Sequence, residues 1–242
     1  MSKMMNRLAT LLAASVMLSA CNTLGQGGTQ FDRHDPHRGS VSQGDSTHGM
    51  TVSVISPVML RIIKETNSLE LWRKSIGGGW SRVRAYSICK FAGNLGPKQR
   101  YADFQAPEGF YEITKSSLNP SSKEYLSINT GYPNAYDRSH GRTGGDVMIH
   151  GGCKSAGCFA MTDGQIEEIY AAVRDALDAG QHHIQLQIYP FEMTDARMAE
   201  VGKGGNADFW RQLKLGWDYF EHYHQPVPIG VANGRYVLLD TR

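Results

Sequence analysis

The chain has 242 residues, 40% of them hydrophobic, and 25 Lys and Arg against 23 Asp and Glu give it a formal net charge of +2. That apolar content supports a packed core and excludes a chain that is disordered throughout. The near-neutral balance, with basic residues scattered along the chain, excludes the electrostatic footprint of a nucleic-acid binder.

Residues 1–20 are expected to be an export signal, outside the fold. Lys3 and Arg7 give a basic start, and Ser19 and Ala20 a small-residue exit. The apolar stretch Leu8–Leu18 between them is only about half the roughly 20 residues of a spanning helix. Leu18, Ser19, Ala20 and Cys21 together resemble the bacterial lipobox. The resemblance implies cleavage before Cys21, lipidation of Cys21 and stable attachment to a membrane. Asn22 stands where an inner-membrane retention signal has aspartate, so the expected location is periplasmic, anchored to the outer membrane. Residues 22–50 are rich in Gly, Ser, Gln, Asp and His, with almost no apolar side chains, and read as a tether. His34, Asp35 and His37 within it are too few and too loosely held to make a firm metal site.

From Thr51 to Arg242 the composition is globular, about 190 residues and within the size of one domain. Strands come first. Met59–Lys64 and Leu69–Lys74 predict a hairpin, followed by Arg82–Cys89, Phe110–Thr114, Glu124–Asn129, Val147–His150 and the alternating Ile184–Tyr189. Two long loops, Phe91–Gly109 and Thr130–Gly145, separate them, and loops of that length in a compact domain usually carry function. Helices come late. Gln165–Ala179 follows a capping box of Thr162 and Gln165 and stops at Gly180, and Asp208–His222 spaces its aromatics at a helical period. Asn233 and Gly234 signal a turn before a last strand at Tyr236–Leu239. The fold class is α+β, with long loops and at least two packed helices.

Cysteine usage directs attention to Asp146–Met161. With Cys21 assigned to lipid, Cys89, Cys153 and Cys158 remain, an odd number that leaves at least one free thiol or an intermolecular bridge. Cys158 is placed for reactivity. It follows the small residues Ser155, Ala156 and Gly157, and the amides of Gly157 and Cys158 are candidate oxyanion donors. His150, at a strand end before Gly151 and Gly152, is the candidate base that would lower the thiol pKa. Cys153 is open to three states: free, paired with Cys89, or bridged to Cys158. A zinc site of His150, Cys153 and Cys158 lacks the short Cys-x-x-Cys clasp, so no metal is assigned. Asp146 lies roughly 13 Å from His150 along an extended strand, which leaves a backbone carbonyl to orient the imidazole.

Several motifs in order carry a wider resemblance. Ile149-His150-Gly151 followed by Ser155-x-Gly157-Cys158 resembles the L,D-transpeptidase catalytic domain, also called YkuD. Ala106–Gly109, Asn134–Arg138, His140–Gly144 and Gly157–Asp163 resemble its branch of exported murein L,D-transpeptidase-like proteins, which includes an amidase that detaches Braun's lipoprotein from peptidoglycan. The resemblance covers about Arg61 to Glu221 and implies a β-rich sandwich that works without metal or organic cofactor. It implies that Cys158 attacks a stem-peptide carbonyl after the L-centre of meso-diaminopimelate, with His150 as base and then acid. Arg142, His140, Tyr136 and Arg138 are candidates for gripping stem-peptide carboxylates, and Ser155 for contacting substrate. Typical members carry histidine where this chain has Ala156 and arginine where it has Ala160, so the acceptor is open.

Three functions follow from these residues. The first is an L,D-transpeptidase acting on peptidoglycan stem peptides through a Cys158 thioester. The second is a hydrolase that releases a peptidoglycan-linked lipoprotein, and the third a lipoprotein that only binds peptidoglycan. An intact thiol and imidazole favour the first two, because binding alone needs no nucleophile.

Overall fold

The computed structural model describes residues 55–201 and 203–240, all within one compact unit. The expected signal at 1–20, the expected lipidation site Cys21 and the expected tether at 22–50 lie outside the described residues.

β1 (Val58–Ile63) and β2 (Ser68–Lys74) make the expected antiparallel hairpin, and β3 (Trp80–Ser87) pairs with the far edge of β2. β4 (Gly109–Ile113) follows the first long loop. Next come β5 (Leu118–Ser122) and β6 (Tyr125–Asn129), then the short helix α1 (Ala135–Ser139) inside the second long loop. β7 (Met148–His150) and β8 (Phe159–Ala160) flank the Gly-rich turn. α2 (Asp163–Asp178), β9 (Ile184–Tyr189), α3 (Asp195–Val201), α4 (Ala207–Tyr223), β10 (Ile229–Ala232) and β11 (Arg235–Leu238) complete the unit. The class is α+β.

A five-stranded sheet in the order β3-β2-β1-β9-β4 is the central layer. Every residue of β1 is buried, because both faces of this sheet are covered. Val58, Leu60 and Ile62 join Ile184, Leu186 and Ile188 of β9 in a core shared with α2 and with a four-stranded sheet, β5-β6-β7-β8. Ile63 and Tyr189 face the other way, into a second core built with α3, α4 and Tyr236 of β11. Arg61 also points to that side. It donates to Gln187 Oε1 at 3.2 Å, and its guanidinium lies 4.2 Å from the Phe220 ring centre.

α2 begins as its sequence predicts. The Thr162 side chain accepts from the Gln165 N–H, and the Gln165 side chain reaches back to the cap. The signals for the smaller elements were weaker. β5, β8, α1 and α3 are short, and none shows a full period of apolar spacing.

The first long loop is held from beneath by a fully buried ion pair. Lys64 Nζ lies 2.9 Å from Glu108 Oε1 and also donates to Asn94 O, Gly96 O and Ala106 O at 2.9, 3.0 and 3.1 Å. Glu108 accepts from Gly96 N–H at 2.6 Å and from Trp210 Nε1 at 2.9 Å. Burial lowers the Lys64 pKa, and Glu108 opposes that shift.

Candidate active site

The four-stranded sheet positions His150 and Cys158, the expected base and nucleophile. β7 runs antiparallel to β6 and parallel to β8, with Ile149 opposite Phe159 and His150 opposite Ala160. Ile149 and Phe159 are fully buried in the core. The strand period therefore turns Met148 and His150 to the other face. Cys158 lies two residues before Ala160, and its Sγ accepts from the Met148 N–H at 3.4 Å. Cys158, one residue before β8, is thus placed diagonally from His150 across the β7–β8 pair, a separation that side chains can span.

The turn between them is braced at several points. Gly151 and Gly152 are required by close approach: a Cβ at Gly151 would meet Asp163 Oδ1 at 2.7 Å and Glu124 O at 2.9 Å, and Gly152 has φ +77°. Asp163 Oδ1 accepts from the Gly152 N–H at 2.8 Å, which ties the turn to the start of α2. Cys153 forms a disulfide with Cys89, with Cα atoms 5.3 Å apart, and Cys158 is the free cysteine among the described residues. A His150, Cys153 and Cys158 zinc set therefore lacks one of its thiolates. The bridge closes a loop of 64 residues. Replacing both Cys89 and Cys153 by alanine is expected to destabilise the domain by about 2–4 kcal/mol. Urea unfolding measures this, and an unchanged midpoint would contradict it.

His150 is buried, and its Nδ1 lies 2.6 Å from Gly151 O. A carbonyl only accepts, so Nδ1 carries the proton and Nε2 presents a lone pair. The main chain orients this histidine, and no bond joins it to Asp146. Asp146 adopts φ +53° and offers its carbonyl, to which the Cys158 thiol donates at 3.7 Å. Burial pushes the Cys158 thiol up, against a smaller opposing effect of the Met148 N–H. This direction differs from the lowered pKa expected from the sequence, because the half-buried thiol loses more solvation than its neighbours return. Alkylation of Cys158 by iodoacetamide is therefore expected to rise with pH through a midpoint above the ordinary cysteine range, as the thiol gives way to thiolate. A rate profile over about pH 6 to 11 tests this; a midpoint at or below the ordinary range would refute it.

Ser155 and Gly157 are engaged with the turn itself. Ser155 Oγ donates to Cys158 O at 2.6 Å and accepts from the Gly157 N–H at 3.1 Å. Of the two expected oxyanion donors, Gly157 is thus bonded locally. Ala160 is fully buried beside His150, whereas Ala156 lines the open cleft.

That cleft, of ≈ 260 Å³, joins Ala156, Gly157 and Cys158 to a facing wall from the first long loop. Lys98, Tyr101, Phe104 and Gln105 form the wall. Lys98 is paired with Asp103 and donates to Arg100 O at 3.0 Å, while Tyr101 and Phe104 are 79% and 64% exposed. These residues were not singled out from the sequence. The available signal was two aromatics, Tyr101 and Phe104, within the largely polar stretch Lys98–Gln105.

The four expected carboxylate grips lie elsewhere, around α1. Arg142 is buried and paired with Asp137 at 2.7 Å, its guanidinium 4.8 Å from the Phe209 ring centre. Tyr136 is stacked between His140 and Tyr236, with ring centres at 4.1 and 4.4 Å. His140 Nδ1 lies 2.9 Å from Tyr136 O, and Arg138 donates to Pro133 O. None of the four lines the Cys158 cleft.

An α+β domain with a free thiol in an open cleft, and a buried Nδ1-anchored imidazole on the neighbouring strand that does not itself line the cleft, fits the class of thiol-dependent acyl-transfer domains. The chain belongs to the L,D-transpeptidase catalytic domain family, YkuD, whose model matches residues 54–222. It is 50% identical over 183 residues to the protein named "Putative L,D-transpeptidase YafK" in Escherichia coli strain K12, covering 76% of this chain and 74% of that one. The same figures hold for the protein of that name in Escherichia coli O157:H7. Among solved structures it is similar to the helical cell shape determining protein Pgp2 of Campylobacter jejuni. For the K307A mutant of Pgp2 the TM-score is 0.46 at 21% identity, over 67% of this chain and 56% of that chain. Bd1075 of Bdellovibrio bacteriovorus gives a TM-score of 0.39 at 20% identity, over 56% of this chain and 49% of that chain.

Proposed function

We propose that this protein is a cysteine-dependent acyltransferase acting on peptidoglycan stem peptides. The observation that carries the reading is the pairing of a free Cys158 with a histidine whose Nδ1 is anchored on Gly151 O, in a chain of this family. Cys158 Sγ attacks the carbonyl carbon of the donor peptide bond. Its proton passes to His150 Nε2, and the tetrahedral oxyanion is met by the Cys158 N–H. The C–N bond breaks, and His150 returns the proton to the departing amine. This leaves a thioester on Cys158. An amine or water then attacks the thioester, giving a new amide or a free acid and restoring the thiol. The raised thiol pKa is what gives His150 its role as proton acceptor, because the thiol must lose its proton to become nucleophilic.

A second reading, hydrolysis that releases a peptidoglycan-linked lipoprotein, is favoured by the exposed lip of the cleft at Tyr101 and Phe104, which leaves the thioester open to water. Export, lipidation at Cys21, a tether over 22–50 and a periplasmic location at the outer membrane belong to the same proposal. They would place the catalytic unit from Thr51 onward within reach of its polymer.

Incubating the full chain with sacculi, with and without covalently bound lipoprotein, followed by mass spectrometry of the products, tests the proposal. New crosslinks mark a transferase, and released lipoprotein or unlinked peptides mark a hydrolase. Binding to sacculi with no thioester and no product would overturn both in favour of a binding module.

A further inference from the structure

A second recess, of ≈ 330 Å³, lies between β4 and β10 and shares no lining residue with the Cys158 cleft. Its β10 side is an open strand edge. The Leu239 N–H donates to Pro228 O at 2.7 Å, so Pro228 faces β11. With Gly230 opposite Val237 and Ala232 opposite Arg235, antiparallel alternation points the bonds of Gly230 and Ala232 the same way. Ile229 and Val231 therefore turn their N–H and C=O groups outward, toward the recess. Among the described residues, nothing bonds to them.

β4 is an end strand of the five-stranded sheet, and its outward groups at Phe110 are already covered. Tyr236 Oη lies 3.4 Å from Phe110 N, and Asn134 Nδ2 lies 2.8 Å from Phe110 O. Glu112, the next outward-facing residue of β4, has no such cover. Glu112 and Arg138 both line the recess, and among the described residues neither is in an ion pair.

Natural proteins protect edges of this kind with charge, proline or a covering segment. Ile229–Ala232 has none of these within its span. It is also held ready. The Tyr236 N–H donates to Gln212 Oε1 at 3.1 Å, and the Asn233 and Gly234 turn has φ +50° and +71°, the two-residue type that suits a tight hairpin.

We propose that this recess docks an extended segment of a partner polypeptide, which adds a third strand to the β10–β11 ribbon along its outer edge. Ile229 and Val231 supply main-chain bonds to the segment. Arg138 and Glu112 set its register by meeting an acidic and a basic side chain.

The test is panning of random hexapeptides displayed on phage against the full-length protein, then binding of the enriched peptides to variants. Val231→Pro removes an outward donor and leaves the ladder to β11 intact, Val231→Ala keeps that donor, and Arg138→Ala removes the cation. Expected are enriched peptides carrying an acidic residue, at least a tenfold affinity loss in Val231→Pro and Arg138→Ala, near wild-type binding in Val231→Ala, and slowed exchange of the Ile229 and Val231 amides on binding. The proposal fails if no peptide is enriched over a bait-free control, or if Val231→Pro binds as well as wild type. A concentration-dependent dimer abolished by Val231→Pro, with no peptide enriched, would instead assign the edge to a second copy of this chain.

Discussion

Replacing Cys158 by alanine is expected to abolish the acyl-enzyme and lower turnover on the order of 10⁴-fold or more, because a thioester needs a thiol and Cys158 is the free cysteine among the described residues. The fold should survive. Cys158 is only half-buried, and its thiol bonds to the Met148 N–H and Asp146 O, two main-chain groups at the cleft surface. Intact-protein mass spectrometry with a stem-peptide donor reads the adduct, and thermal unfolding reads the fold. An adduct on the alanine variant would remove Cys158 from the mechanism. His150→Ala should keep the thiol but slow its acylation at neutral pH, where the raised thiol pKa leaves little thiolate to react unaided.

Lys64→Met is expected to be the most destabilising single substitution, by about 3–5 kcal/mol, because it strands a buried carboxylate. Lys64 neutralises Glu108 and also collects three carbonyls of the first long loop. Its loss leaves those acceptors dry as well. Urea unfolding measures the effect. Lys64→Met combined with Glu108→Gln should recover part of it, since no charge is stranded and the one amide oxygen still accepts from either the Gly96 N–H or Trp210 Nε1, which bond to different oxygens of Glu108. A single variant as stable as wild type would show that the pair contributes nothing net.

The features that could be read from the sequence are those encoded within a few residues. The β1–β2 hairpin follows from two apolar runs around Thr66 and Asn67, α2 from its capping box, and the β10–β11 turn from Asn233 and Gly234. The strand ending in His150 and the Gly-rich return toward Cys158 were legible from the apolar run at 147–149 and the glycines after it. Contacts across long sequence separations were not. Whether Cys153 would meet Cys89 depends on Cys89 and Lys90, just beyond β3, bonding to Ala160 of β8, and Arg142 turns inward because α4 brings Phe209 under it. No local period records either fact. β8 shows the limit most clearly: two residues carry no pattern, yet they set the register of Cys158.

The two walls of the Cys158 cleft are fastened to different sheets. The thiol side belongs to the four-stranded sheet, while Lys98–Gln105 hangs from the five-stranded sheet through Lys64 and Glu108. Reactivity and partner choice can therefore evolve at separate speeds. An insertion between Pro97 and Gln105 would reshape what reaches Cys158 without disturbing the strand register that sets Cys158 and His150 on neighbouring segments of the four-stranded sheet. In a chimera of two relatives, this one segment would transplant selectivity while the chemistry stayed with its host.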